Sequence, residues 1–311
     1  MSTVSKSKAP VILLFGPTGV GKTALIERLF SSGYEIINAD SQQVYRFLEI
    51  GTAKPSTRTL KRIPHHLVDL LDPGMQFNVG CFVKEADRAA YNILRRERIP
   101  VISGGTAFYL RHFIYGMPPA PRADENVRDA LSRTLAVKGN VGLWKELEHV
   151  DPASADKLHQ NDIQRIIRAL EVYYSTGKPR SSFSLQQVPR KKFHYLTLGL
   201  QRERAELYER IDRRVEEMWQ AGLLDEFRRL LKMGYRADDP GMSGIGYREL
   251  FLMRDSGEYS IPCVKAEIQK NSRRYAKRQI TFFKKIPGVE WFHPDQEEAI
   301  RRRIDDFLHL I

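Results

Sequence analysis

The sequence predicts an α/β fold in which a parallel sheet core carries an inserted, mostly helical domain and is followed by a helical C-terminal region. Three observations support this fold class. Four apolar runs of strand length alternate with helical patterns, the first run ends in a glycine-rich loop, and a long helical stretch separates the third run from the fourth. The chain has 311 residues, 42% of them hydrophobic, and is therefore long enough to bury such a core.

The N-terminal part of the chain shows the order strand, loop, helix, strand. The run VILLF (11–15) has the composition of a buried parallel strand, and KTALIERLF (22–30) carries the helical period after the loop. The runs YEIINA (34–39) and RIPVIS (98–103) are the next two predicted strands. Alternation of this kind favours parallel strands joined by crossover helices.

An inserted domain is predicted after the third strand. The segment GMPPAPRAD (116–124) is a turn-rich linker whose last residue, Asp124, is the predicted N-cap of the next helix. The residues from there to about Pro189 have helical patterns. We therefore predict residues 1–117 as the first part of the core, 118–193 as the inserted helical domain, and 194–311 as the second part of the core with basic C-terminal helices.

The chain returns to the sheet at HYLTLGL (194–200), the fourth predicted strand. The stretch from Arg204 to Gly234 then has apolar residues at helical spacing, with a predicted break at Gly222 and a predicted C-cap at Gly234. The second part of the core is thus predicted to be largely helical.

The charge balance points to a polyanionic partner. The chain has 50 Lys and Arg residues against 38 Asp and Glu, a formal net charge of +12. Net charge alone is equally consistent with a solvated basic surface. However, seven basic residues and no acid lie between positions 270 and 285, namely Lys270, Arg273, Arg274, Lys277, Arg278, Lys284 and Lys285, with Tyr275, Phe282 and Phe283 among them. Basic and aromatic side chains together suit the phosphates and the bases of a nucleic acid.

Composition excludes several classes of protein and site. No apolar run approaches the roughly 20 residues that span a bilayer, and residues 1–10 do not resemble a signal peptide, so a cytoplasmic protein without a membrane partner is predicted. The two cysteines, Cys81 and Cys263, provide neither a disulfide framework nor a structural zinc site. Any metal is therefore expected to have oxygen ligands, and nothing in the sequence requires more than a monomer.

The loop after the first strand, GPTGVGKT, has the form G-x-x-x-x-G-K-[ST] that P-loop NTPase-like folds place between strand and helix. Its backbone N–H groups and the helix dipole point at an anion, with Lys22 near the terminal phosphates and the Thr23 hydroxyl on Mg²⁺. The predicted binding residues are Gly16, Pro17, Thr18, Gly19, Val20, Gly21, Lys22 and Thr23. This form specifies a di- or triphosphate but not hydrolysis, because no later strand has the hydrophobic-Asp-Glu pattern of P-loop ATPases. A chance glycine turn is the alternative interpretation.

Two further strand ends carry polar residues. Asp40 follows the second strand, at the carboxyl edge where open α/β sheets bind ligands. We interpret Asp40 as a general base or a second-shell Mg²⁺ ligand, or else as a cap of the following turn through Ser41. Thr106 follows Gly104 and Gly105 at the end of the third strand, where a plain Gly-Gly turn is the alternative.

Eight segments in a fixed order carry a family resemblance. They are GPTGVGKT, NADSQQVYRFLEIGTAKP, HHLVDLLDP, GGTAFYL, HQNDIQRIIRALEVYYSTGKP, RAELYERIDRRVEEMWQAGLLDE, GIGYREL and YAKRQITFF. In this order they resemble the tRNA dimethylallyltransferases, also called tRNA isopentenyltransferases, over nearly the whole chain. The resemblance implies a transferase that moves the dimethylallyl group of dimethylallyl diphosphate to N6 of the adenosine immediately 3′ of the anticodon in tRNA, releasing diphosphate. The phosphate loop would then hold a prenyl diphosphate.

The resemblance also implies roles for individual residues. Lys22, Arg214 and Mg²⁺ bound at Thr23 would stabilise the charge that grows on the leaving diphosphate. Asp40 would accept the N6 proton, and Thr106 would position the donor or the base by hydrogen bonding. For Arg214, an exposed ion pair is the alternative interpretation.

The anticodon stem-loop of the tRNA is implied to contact several segments, because the adenosine must be extruded from the loop to reach the site. The implied contacts are Asp40, Ser41, Gln42, Gln43, Thr106, Arg128, Gln164, Arg165, Ile166, Ile167, Arg168, Ser243, Gly244, Ile245, Gly246, Tyr247 and Arg248. The stretch from Lys270 to Lys285 would follow the RNA backbone. For residues 164–168, a helix that packs Ile166 and Ile167 into a core is compatible with the same pattern.

Two other classes of function remain open at this point. A P-loop kinase, or an adenylate prenyltransferase acting on a free nucleotide, would use the same loop but leaves the inserted domain and the basic stretch without a role. A non-catalytic RNA-binding protein is disfavoured by the intact set of Gly16, Gly21, Lys22, Thr23 and Asp40. The sequence therefore favours tRNA prenyl transfer.

Overall fold

The computed structural model describes residues 9–120, 124–183, 188–257 and 260–310. The chain divides into two compact units, one formed by Met1–Ile114 with Arg190–Ile311 and the other by Tyr115–Pro189. Across the described ranges, we find no helix whose length and apolar character would let it cross a membrane.

The first unit is built on a parallel sheet. Within the described residues its strands are β1 (Ala9–Phe15), β2 (Tyr34–Asn38), β3 (His65–His66), β4 (Ile99–Gly104), β5 (Phe193–Leu200) and β6 (Glu290–Phe292). They are ordered β3-β2-β4-β1-β5-β6, and every neighbouring pair is parallel. The four strands predicted from apolar runs are confirmed. The edge strands β3 and β6 were not predicted, because two and three residues are too few for a periodic pattern.

Helices connect and cover these strands. In chain order the described helices are α1 (Lys22–Leu29), α2 (Thr57–Arg62), α3 (Val79–Leu94), α4 (Ala107–Tyr115), α5 (Glu125–Val150), α6 (Pro152–Ala155), α7 (Ile163–Thr176), α8 (Arg204–Gln220), α9 (Leu223–Lys232), α10 (Tyr247–Ser256), α11 (Ile261–Phe283) and α12 (Glu297–His309). The predicted break at Gly222 is confirmed, since this residue has a left-handed φ of 97° between α8 and α9. The helical C-terminal region is likewise confirmed.

An apolar core lies against one face of the sheet. Ile12 and Leu14 project from the same side of β1 because they are two residues apart, and both are fully buried. They belong to an apolar cluster with residues of α1, α8, α11 and α12, such as Leu25, Leu207 and Ile304. Helices α8 and α11 are therefore fixed beside the strand ends, where they help to form the site described below.

The second unit has its own helical core. Leu131, Leu143 and Leu147 of α5 pack with Ile166 and Leu170 of α7, and all five are buried. Because two helices can bury their apolar faces against each other, this unit has a core independent of the sheet.

The boundaries of the second unit differ from the predicted 118 and 193. Arg190 bonds to Asp87 through both terminal nitrogens (2.9 and 3.0 Å) and donates from Nε to the Phe113 carbonyl oxygen (2.7 Å). Phe193 pairs with Ala9 in the sheet. Residues 190–193 therefore belong to the first unit. The predicted N-cap is confirmed, because Asp124 accepts a hydrogen bond from the Asn126 amide (3.0 Å).

Candidate active site

A cavity of about 610 Å³ lies at the carboxyl ends of β1, β2 and β4 in the first unit. Parallel strands end at the same edge of the sheet, so the loops that follow them are brought together there. The cavity is lined by residues 18, 19 and 21–24 of the phosphate loop and the start of α1, by residues 40–43 and 51–53, by Gly105, by one side of α8, by residues 243–248 and by one side of α11. The chemistry-bearing segments predicted for the first unit thus surround one space.

The phosphate loop presents the start of α1 to this cavity. The amides of Lys22, Thr23 and Ala24 lie in the first turn, where a helix has no acceptor for its N–H groups. The Lys22 ammonium donates to the carbonyl oxygens of Gly16 (2.8 Å) and Pro17 (2.9 Å). Free amide donors at the positive end of a helix dipole form a binding site for an anion.

Not every predicted loop residue faces the cavity. Thr18, Gly19, Gly21, Lys22 and Thr23 line it, whereas Gly16, Pro17 and Val20 do not. The Val20 side chain is fully buried in the sheet core. Its side chain is therefore structural, because an apolar core leaves it no access to an anion.

Two cations and one carboxylate interact across the cavity. Burial of the amine lowers the pKa of Lys22 to about 8, with Asp40 opposing this shift and Arg214 adding to it. Burial also lowers the pKa of Arg214, again opposed by Asp40. Arg214 forms no ion pair with any residue that the structure describes, so the predicted alternative of an exposed ion pair is not observed. Two partly desolvated cations favour the arrival of a negatively charged group.

The two carboxylate oxygens of Asp40 differ, because among the described residues only Oδ1 forms hydrogen bonds. Its Oδ1 accepts hydrogen bonds from the amides of Gln42 (2.9 Å) and Gln43 (3.4 Å), so it does cap the turn after β2. Its Oδ2 lies on the side of Gly105, 3.9 Å from where a Cβ on that residue would stand. The next turn is tied to it, since the Ser41 amide donates to Thr106 Oγ1 (3.0 Å). Asp40 and Thr106 are therefore brought together, as predicted.

Helices α8 and α11 each add side chains that sequence reasoning missed. Arg210, one turn before Arg214, donates from Nε to the Gly19 carbonyl oxygen (2.9 Å). Burial and the nearby Asp40 raise the pKa of Tyr275 to about 12. Gln279, one turn after Tyr275, contacts the phosphate loop. Residues 268, 272, 275 and 279 line the cavity at helical spacing, so they share one face of α11. The sequence contains this spacing, but the basic residues between these positions obscured it.

Comparison with known proteins identifies the family. The family model of IPP transferases matches residues 43–286. The chain is 41% identical over 301 residues to the tRNA dimethylallyltransferase of Borreliella afzelii, covering 97% of this chain and 98% of that one. The chain belongs to the tRNA dimethylallyltransferase family. The tRNA dimethylallyltransferase of Geobacter sulfurreducens is also 41% identical, over 94% of both chains. The protein is accordingly an enzyme of the transferase class.

Solved structures show the same fold. The tRNA isopentenylpyrophosphate transferase of Bacillus halodurans is 35% identical, with 97% of both chains covered and a TM-score of 0.69. A eukaryotic dimethylallyltransferase acting on tRNA is 28% identical, with 91% of this chain and 74% of that chain covered and a TM-score of 0.75. The P-loop NTPase-like fold predicted from the sequence is thereby confirmed.

In this tRNA dimethylallyltransferase family member, the predicted tRNA contacts of the first unit line the cavity except Thr106, and two of those that line it also hold its walls. Tyr247 is fully buried, and its hydroxyl donates to Glu226 (2.6 Å). Gln43 donates from Nε2 to the carbonyl oxygens of Thr52 (3.1 Å) and Ala53 (3.2 Å). Unlike Tyr247 and Gln43, Gln42 has a side-chain oxygen, Oε1, that is buried and accepts no hydrogen bond from a described residue.

The predicted contacts of the second unit divide into paired, buried and exposed residues. Arg128 (2.5 Å) and Arg168 (3.0 Å) both form ion pairs with the fully buried Glu171. Ile166 has no exposed side-chain surface, so the prediction that it contacts tRNA is wrong for its side chain, which packs in the apolar core. Ile167 packs partly against the same core, whereas Gln164 and Arg165 are exposed.

The basic stretch from Lys270 to Lys285 is partly used inside the protein. Arg273 forms an ion pair with Asp212 of α8, and Lys270 pairs with Glu267 (2.9 Å). The Arg278 guanidinium lies 5.7 Å from the centre of the Tyr275 ring. Arg273 therefore helps to hold α11 against α8, because its ion pair joins the two helices, while the RNA contact of this stretch stays a prediction.

Proposed function

We propose that the protein transfers the dimethylallyl group of dimethylallyl diphosphate to N6 of the adenosine immediately 3′ of the anticodon in tRNA. One observation carries this proposal. One cavity is lined by the phosphate loop with Lys22, by Arg214 of α8 and by Asp40, and the turn that follows Asp40 is hydrogen-bonded to Thr106. A group transfer from a diphosphate needs both a cationic place for the leaving group and a base for the nucleophile.

On the leaving-group side, the bond between C1 of the prenyl chain and the bridging oxygen breaks, and its electron pair leaves with the diphosphate. Lys22, Arg214 and the first-turn amides of α1 would stabilise the negative charge that grows on the oxygens. Partial burial of both cations makes their interaction with this charge stronger than it would be in water.

On the nucleophile side, the N6 nitrogen of the flipped adenine forms the new bond to C1 and loses one proton. Asp40 would accept that proton at Oδ2, because Oδ1 is engaged by the amides of Gln42 and Gln43. Thr106 would hold the turn of Ser41 in place.

The side chains at the phosphate loop could bind Mg²⁺ only if oxygen atoms of the substrate supply the remaining ligands. The described residues contain no group of three His, Cys, Asp or Glu side chains that could hold a metal ion. Thr23 lines the cavity directly after Lys22 and would supply a hydroxyl ligand, and Asp40 would stay near the ion without binding it directly. Bound there, Mg²⁺ would neutralise charge on the diphosphate.

The substrate is proposed to be the anticodon stem-loop, with one adenosine extruded into the cavity. The protein is proposed to act as a cytoplasmic monomer. Its net charge of +12 and the exposed cations of the Lys270–Lys285 stretch support a contact with the RNA backbone.

The test is transfer of labelled dimethylallyl diphosphate to an unmodified anticodon stem-loop. We expect label in the stem-loop and none in a matched stem-loop with guanosine at the target position, because guanosine lacks the N6 amine. A parallel reaction with AMP tests transfer to a free nucleotide. Label in AMP alone, or in neither acceptor, would contradict the proposed function.

A further inference from the structure

Gln279 of α11 joins two loops of the site through a single side-chain amide. It is 4% exposed. Its Oε1 accepts a hydrogen bond from the Thr18 amide of the phosphate loop (2.9 Å), and its Nε2 donates to the Gly105 carbonyl oxygen (2.7 Å). Both ends of the amide are therefore used, and each end holds a different strand end of the sheet.

These two bonds connect the leaving-group side of the cavity to the base side. Gly105 precedes Thr106, whose Oγ1 accepts the Ser41 amide (3.0 Å) in the turn that Asp40 caps. A chain of hydrogen bonds and adjacent residues thus links the phosphate loop to the Asp40 turn through Gln279. The phosphate loop and the Asp40 turn follow different strands, so the sheet already connects them. The Gln279 bridge is a second connection, made directly between the loops.

We propose that Gln279 is a positioning residue for prenyl transfer, which fixes the phosphate loop relative to the Thr106 turn. This inference rests on the proposed function. The reaction needs N6 and C1 to meet in line with the departing diphosphate, and a displacement of about 1 Å costs about 10²-fold in rate. A bridge that locks both loops keeps the two reacting groups at this separation.

The close fit at Gly105 supports a dedicated role for the amide. A Cβ on Gly105 would lie 2.5 Å from Gln279 Nε2, closer than real contacts allow. A larger residue at position 105 would therefore push the Gln279 amide out of its present place. The bridge also needs a group that accepts at one end and donates at the other, which an amide or a protonated carboxyl provides and an ionised carboxylate does not.

The experiment uses Gln279→Met and Gln279→Glu in the full chain. Met keeps the volume but makes neither hydrogen bond, so we expect the single-turnover rate of stem-loop prenylation to fall about 10²-fold. The Kd values of inorganic pyrophosphate and of the stem-loop should change little. For Gln279→Glu, the rate relative to wild type should rise about tenfold as the pH falls from 7.5 to 5.5, because the carboxyl becomes protonated and can donate to Gly105.

The matched control is Gln269→Glu on the same helix. Gln269 lies outside the cavity and donates to the Asp212 carbonyl oxygen (3.4 Å) and to Glu216 (3.5 Å). The rate of the Gln269→Glu variant relative to wild type should therefore not change with pH. Wild-type activity in Gln279→Met, or a flat pH profile of the Gln279→Glu ratio, would overturn the positioning role alone. Failure of the wild-type protein to label the stem-loop would overturn the proposed function and this inference with it.

Discussion

Replacing Asp40 by Asn separates the two roles that the structure gives this carboxylate. Oδ1 caps the turn by accepting the amides of Gln42 and Gln43, and an Asn carbonyl oxygen can accept the same bonds. Oδ2 is the oxygen proposed to take the N6 proton, and an Asn amide nitrogen cannot take it. Asp40→Asn therefore removes the base and keeps the cap.

The two effects differ greatly in size. Exchanging a charged acceptor for a neutral one at the cap should lower the free energy of unfolding by about 1 kcal/mol. Loss of a general base should lower kcat by about 10²–10⁴-fold. Asp40 also favours the charged form of Lys22, so the pKa of Lys22 should fall below its present value of about 8 in the variant. The pyrophosphate Kd of the variant reports any loss of Lys22 charge, so the loss of the base can be judged separately.

The assay is single-turnover prenylation of an anticodon stem-loop at pH 7, with thermal melting and pyrophosphate Kd measured on the same samples. Asp124→Asn is the matched control, since Asp124 caps α5 through the Asn126 amide and lies outside the cavity. A wild-type rate in Asp40→Asn would refute the reasoning and leave Asp40 as a turn cap only, whatever the change in melting temperature.

Three further predictions follow from the same geometry. Lys22→Ala should weaken pyrophosphate binding and leave the stem-loop Kd nearly unchanged. In the wild type, pyrophosphate affinity should fall by up to about tenfold per pH unit above pH 8, because Lys22 of the free enzyme is neutral there. Equal loss of stem-loop binding, or a flat pH profile, would contradict this. Glu226→Gln should lower the free energy of unfolding by about 3 kcal/mol in denaturant titration, and Tyr247→Phe by about 1 kcal/mol. The reason is that the two oxygens of Glu226 accept hydrogen bonds from three backbone amides and from the Tyr247 hydroxyl, whereas Tyr247→Phe removes only one of these bonds. Equal effects of the two variants would contradict this account of Glu226. Replacing residues 115–189 by a short linker should preserve pyrophosphate binding and abolish stem-loop binding in a filter assay, whereas normal stem-loop affinity would place the RNA contacts elsewhere.

The sequence by itself determined the elements whose signals are local. The apolar run 11–15, the glycine-rich loop and the start of α1 at Lys22 all follow from residues within a few positions of one another. The break at Gly222 also follows from local conformation, because glycine accepts the left-handed φ observed there. The places of Asp40 and Thr106 at strand ends were predicted for a similar reason, whereas their shared role came only from the family resemblance.

Only the tertiary structure decided which side chains complete the site and which serve the core. Gln279 reaches Thr18 and Gly105 across 261 and 174 positions of sequence, a distance over which no periodic pattern carries information. Arg128 has the residue type of an RNA contact, yet the buried Glu171 pairs with it, because a buried carboxylate must be compensated by a cation. Ile166 lies in a predicted contact segment, but the packing of α5 on α7 buries it. Local sequence sets what a residue can do, whereas burial and distant partners set which of those roles the folded chain uses.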